Sequence, residues 1–121
     1  TILVNIEAKK ISEGKWEPYK FCGREKTNLD VNNWINEIQN KGCGEILLTS
    51  IDKEGTETGF DIELIENVEK IIKKPLIASG GCGSLEHVEK LKIKFKNISV
   101  AVASVLHYKT LKISEIKKIL A

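Results

Sequence analysis

Four short apolar runs, each followed by a stretch with helical periodicity, constrain this chain more than any other feature. The runs are Ile2–Ile6, Ile46–Ile51, Leu76–Ala78 and Ile98–Ala103. They are rich in β-branched residues, and their continuous apolar character predicts strands buried on both faces of a parallel sheet. The helical stretches carry apolar stripes. The first is capped near Asp30, aligns Val31, Trp34, Ile35 and Ile38, and ends at Lys41-Gly42. The second starts at about Asp61 with Ile62, Ile65, Val68, Ile71 and Ile72 inward, and Pro75 prevents its continuation. The third is capped by Ser84 and turns Val88, Leu91 and Phe95 inward; the fourth covers about Ser114–Leu120. Asp52–Gly59, Ser79–Gly83 and Ser104–Lys112 read as loops. A long polar connection follows the first strand through Gly14, Pro18 and Gly23, and alternation around Trp16–Phe21 predicts a small hairpin inside it.

This order predicts an α/β fold of four βα units with parallel strands, filling residues 1–121 as a single domain. Four parallel strands do not close a barrel. They leave two unpaired edges and one face without a packing layer. The expectation is therefore half of a (β/α)8 TIM-type barrel, completed by a second half or by self-association. The chain contains no methionine and opens directly on the strand-like Thr-Ile-Leu-Val-Asn-Ile, which reads either as ordinary processing or omission of a start residue or as a piece cut from a longer protein at a strand.

Composition removes several function classes. A net charge of +2, with lysines scattered among glutamates, argues against nucleic acid or an anionic membrane as partner. No apolar run approaches the ~18 residues of a membrane span. Cys22, Cys43 and Cys82 are odd in number and lack metal-ligand spacing, so reduced thiols of a cytoplasmic protein are expected, with no metal site and no cofactor. His87, in the first turn of a helix, and His107, in a loop, have no ligand partner at i+3 or i+4, so surface or packing roles are expected, and Trp16 and Trp34 are expected to pack.

Chemistry in barrels of this type sits at the carboxyl ends of the strands. Glu7 closes the first run and is a candidate general acid or base; the alternative is an ion pair with Lys9 or Lys10. Asp52 and Glu54 follow the second run, where either could orient a substrate hydroxyl or serve only as an Asx-type turn or cap. Gly55 and Gly59 satisfy turn geometry or let amides approach an anion. Ser79-Gly80-Gly81-Cys82-Gly83 before a helix is the stronger pattern. Amide donors and the helix dipole favour a phosphate there, the dipole by about 0.3–1 kcal/mol. Ala103-Ser104 would lie beside that turn. A generic glycine turn is the alternative, and Cys82, with nothing to activate it, reads as a small filler.

The segments GEILLTSIDKEGTETGFDIELI, PLIASGGCGSLEH and VASVLH, in that order, resemble the cyclase subunit of imidazole glycerol phosphate synthase, from histidine biosynthesis. The likeness covers essentially the whole chain and corresponds to the carboxyl-terminal half, the fifth to eighth βα units. It implies a barrel of two similar halves, each gripping one phosphate of a phosphorylated ribonucleotide substrate. It further implies a glutaminase partner at the amino-terminal face, ammonia passing through the barrel, and one catalytic aspartate per half. Carried onto this sequence, Gly81, Ala103 and Ser104 match the phosphate grip, while Thr49, Gly55 and Ser79 match substrate-lining positions. Glu45 matches a charged residue at the ammonia entrance. Departures are Glu7, in Ile6-Glu7-Ala8-Lys9, and Glu54, where the family carries aspartate, and Cys22, where a substrate-contacting serine is common. Two rival readings share these motifs: a related enzyme that amidinates a sugar for surface polysaccharide, and a non-catalytic phosphate-binding half-barrel.

Overall fold

Which face of each strand the helices cover decides where this chain leaves room for chemistry. The computed structural model describes residues 1–121. Its strands are β1 (Leu3–Ser12), β2 (Lys15–Lys20), β3 (Glu25–Lys26), β4 (Glu45–Ser50), β5 (Leu76–Ser79) and β6 (Ile98–Ala101). They form one sheet in the order β3-β2-β1-β4-β5-β6. The helices are α1 (Val31–Asn40), α2 (Ile62–Glu69), α3 (Leu85–Lys94), α4 (Ser104–His107) and α5 (Ile113–Leu120). β1, β4, β5 and β6 pair in parallel, an arrangement consistent with a partial TIM-type barrel.

Three expectations need correction. The sheet is mixed, because β1 runs to Ser12 instead of stopping at Ile6. Its second half finds an antiparallel partner in β2, from Glu7 opposite Tyr19 to Ser12 opposite Lys15. The predicted hairpin near Trp16–Phe21 thus exists, but β1 itself is its first arm. Second, the strands bury one face only, not both as their continuous apolar runs suggested, and leave the other without a packing layer as expected of four parallel strands alone. Ile6 and Ala8, Ile46 and Leu48, Leu76 and Ala78, and Ile98 join the helix stripes in a single core. Their neighbours on the opposite face, among them Asn5, Glu7, Leu47, Thr49, Ile77 and Ser79, are half-buried or exposed. The helices pack on one side alone, and nothing covers the other. Third, β6 ends at Ala101, and the segment expected to be loop begins with α4.

The helix boundaries follow their caps. Asp30 accepts the Asn33 N–H at 3.0 Å, and Asp61 accepts that of Leu64 at 3.1 Å. Val31, Ile35 and Ile38 of α1, Leu64, Ile65 and Val68 of α2, and Val88 and Leu91 of α3 are buried as their spacing predicts. Ile71 and Ile72 fall beyond the end of α2 and are half-buried. β6 is the last strand of the sheet, and the Leu3–Ile6 half of β1 lacks the partner that β2 gives the other half. No helix is long and apolar enough to cross a membrane.

Candidate functional site

Register brings the candidate residues together. Glu7 lies opposite Thr49, Thr49 opposite Ser79, and Ser79 opposite Ala101, a single row across the four parallel strands. Because strand side chains alternate with period two, the whole row points to the uncovered face. Glu7 does not terminate β1 as expected. It sits inside the strand, one residue before the parallel pairing with β4 ends at Ala8 and Ser50. Its carboxylate makes neither an ion pair nor a side-chain hydrogen bond in the chain, so the expected alternative of pairing with Lys9 or Lys10 is not adopted. Lys9 instead lies over the Tyr19 ring, and Lys10 pairs with Glu63 and Glu13. The Glu63 hydrogen bond holds the Lys10 ammonium above its usual range.

Beyond the row lies a cavity of about 120 Å³, lined by Ser79–Cys82, by Ala101–Ser104, and by Glu54, Gly55 and Glu57. Gly80 and Gly81 adopt φ of 99° and 97°, backbone that favours glycine. A Cβ on Gly81 would overlap the Gly59 carbonyl, and the Gly59 N–H donates to the Gly81 carbonyl at 2.7 Å. The glycine turn therefore locks onto the end of the β4–α2 connection. No Lys, Arg or His lines this cavity, whereas two carboxylates, Glu54 and Glu57, do. An anion there would depend on backbone N–H groups and the Ser79 and Ser104 hydroxyls. Cys82 is buried, and loss of solvent pushes its thiol above the usual range despite the bond from Sγ to the Ser84 carbonyl. Burial and a raised thiol suit packing more than nucleophilic attack.

Asp52 lies apart from this group. Its carboxylate accepts the Lys10 N–H at 2.8 Å, where it pins the extension of β1. The residue lines a different surface cleft with Lys10, Glu13, Asp61 and Glu63. In this structure it serves as a backbone tie away from the cavity of the glycine turn, in the cleft on the side of Ser50 and Asp61. The Ser50 hydroxyl donates to Asp61 at 2.6 Å in the same layer. Glu54 keeps its place at the cavity, and Gly55, at φ 76°, has open space around it. Glu45 begins β4 beside Leu3, at the opposite end of the same open face from Glu7 and Thr49. Cys22 is exposed in the turn after β2, and His107 lies in α4, its ring edge-on to Tyr108.

Sequence reading gave His87 only a surface or packing role and did not foresee its hydrogen bond. Ser84 occupies the N-cap position of α3 but makes no side-chain cap, and the Gly83 N–H donates to His87 Nδ1 at 2.9 Å instead. The available signal was a histidine at the third helical position, where a side chain can reach back to the preceding turn.

The family model described as histidine biosynthesis protein matches residues 1–112. Over 117 residues the chain is 43% identical to imidazole glycerol phosphate synthase subunit HisF of Methanocaldococcus jannaschii, covering 95% of this chain and 43% of that protein. The subunits of the same name from Streptococcus sanguinis and Streptococcus gordonii are each 39% identical over 117 residues, 97% of this chain and 46% of theirs. The chain spans less than half the length of these curated relatives.

Proposed function

The chain belongs to the histidine biosynthesis protein family, and from that premise we propose that it is the carboxyl-terminal half of an ammonia-dependent cyclase of the imidazole glycerol phosphate synthase type. It supplies four βα units, half of a (β/α)8 barrel. The observation that carries this reading is the row Glu7–Thr49–Ser79–Ala101 on the open face, leading into the cavity of the glycine turn. Relatives named as subunits of that synthase support it.

In this reading the Gly81 turn and the Ala103–Ser104 segment hold one phosphate of a phosphorylated ribonucleotide through N–H and hydroxyl donors. Thr49, Gly55 and Ser79 line the substrate, and Glu54 orients it. Glu7 donates or accepts the proton during ring closure, with the second acid on the other half of the barrel. A free carboxylate that no lysine neutralises suits this role. Ammonia from a glutaminase subunit enters past Glu45 and reaches Glu7 along the open face once a second half encloses it. Glutamate in place of aspartate moves the carboxylate outward by about an ångström, a shift able to cost ~10²-fold unless β1 compensates. The antiparallel pairing of Glu7 with Tyr19 gives β1 a support through which such compensation can act.

The test is complementation. The chain is co-expressed with the amino-terminal half of the Methanocaldococcus jannaschii subunit, and the co-purified pair is given the phosphorylated ribonucleotide and free ammonia. The pair is expected to form the imidazole product and an aminoimidazole carboxamide ribotide, and the chain alone to show negligible turnover. A folded pair that turns over only a sugar acceptor favours the amidination reading and sinks this one.

A further inference from the structure

The glycine turn at the cavity is held from behind by a side chain that the proposed chemistry does not use. The Gly83 N–H donates to His87 Nδ1 at 2.9 Å. The same ring abuts Gly59, where a built Cβ would lie 3.6 Å from His87 Cδ2. Gly59 in turn donates to the Gly81 carbonyl. His87 therefore joins the first turn of α3, the glycine turn and the end of the β4–α2 connection. We infer that His87 is a positioning residue for the anion-binding turn, its neutral imidazole holding Gly81–Gly83 in the conformation that lines the cavity. This rests on the reading of that cavity as a phosphate site.

The chemistry fixes the tautomer. An N–H aimed at Nδ1 needs a lone pair there, so the ring proton sits on Nε2. Protonation of Nδ1 sets two donors against each other and releases Gly83. The titratable and charged residues that flank the ring and its two contacts in sequence are Glu57 and Asp61, two residues to either side of Gly59, Glu86 and Lys90 on α3, and Cys82 in the turn. As pH falls, protonating the carboxylates favours an anion in the cavity, whereas losing the lock opposes it. The two contributions have opposite sign, so a variant that keeps the acceptor but cannot titrate separates them. His87→Asn is that variant, because its Oδ1 replaces Nδ1.

Two measurements on the chain test the inference. In the ligand-free protein, exchange of the Gly83 amide is followed by NMR against pH, together with the ring ¹⁵N shifts of His87. Binding of inorganic sulfate, a dianion throughout this range, is then titrated for the unsubstituted chain, His87→Asn and His87→Ala. The account expects a protected Gly83 amide that loses protection as His87 protonates, stays protected in His87→Asn, and is open in His87→Ala. Sulfate affinity should fall about tenfold in His87→Ala, and on acidification the unsubstituted chain should lose affinity relative to His87→Asn, which keeps the acceptor. A Gly83 amide indifferent to His87, or equal sulfate affinity in all three proteins across pH, overturns the inference. A lock that behaves as stated in a chain that binds no sulfate overturns the phosphate-site reading instead.

Discussion

Gly81→Ala examines the point where the glycine turn meets the β4–α2 connection. An alanine at φ 97° carries backbone strain of roughly 1–3 kcal/mol. The new Cβ also overlaps the Gly59 carbonyl, so the two segments must separate and the 2.7 Å bond from Gly59 to Gly81 is lost, a further ~1 kcal/mol. Together these predict a destabilisation of roughly 2–4 kcal/mol. Gly55→Ala is the matched control. It too has positive φ, 76°, but nothing lies within 4 Å of its built Cβ. Strain alone applies there, about 1–2 kcal/mol. Urea denaturation at fixed chain concentration gives both values. The reasoning fails if Gly81→Ala costs no more than Gly55→Ala, since the overlap is what distinguishes them.

Other perturbations follow from the same geometry. Glu57 lines a cavity without cations, so Glu57→Gln should tighten sulfate binding about two- to fivefold, less at high salt; a weakened affinity in calorimetry contradicts this. Burial raises the Cys82 thiol while Cys22 is exposed, so iodoacetamide mapped by peptide mass should label Cys22 first and Cys82 only in denaturant. Equal labelling of the two in the folded chain refutes the packing described. With one sheet face uncovered, the isolated chain is expected to self-associate through it, and Leu47→Glu to shift light scattering towards monomer. A monodisperse monomer without the substitution contradicts that expectation.

Local signals carried much of the fold into the sequence. Asp30 and Asp61 cap helices where their side chains can reach the third amide, and the stripes of α1 and α2 bury as spaced. What escaped depends on partners distant in sequence. Lys9-Lys10-Ile11-Ser12 has no apolar pattern and becomes strand because Lys15–Lys20 folds back to pair with it and Asp52 accepts the Lys10 N–H. Short apolar runs also do not reveal whether one face or two are covered; that depends on what packs against them, and here only helices on one side do. Asp52 and Glu54 differ by two positions yet have different tasks, one tying β1 and the other facing the cavity, because the turn after β4 reverses between them. The row from Glu7 to Ala101 was legible only as separate strand ends. Register aligned them in one row.

Glu7 is proposed to perform acid–base chemistry beside a phosphate held by the glycine turn. The most direct measurement is kcat and KM for Glu7→Gln in the complemented pair. The account predicts kcat lower by about 10²–10⁴-fold with KM for the ribonucleotide nearly unchanged, since the phosphate grip does not involve this side chain. Unchanged kcat would contradict the account and leave the chain a phosphate-binding half-barrel in which Glu7 has no chemical role.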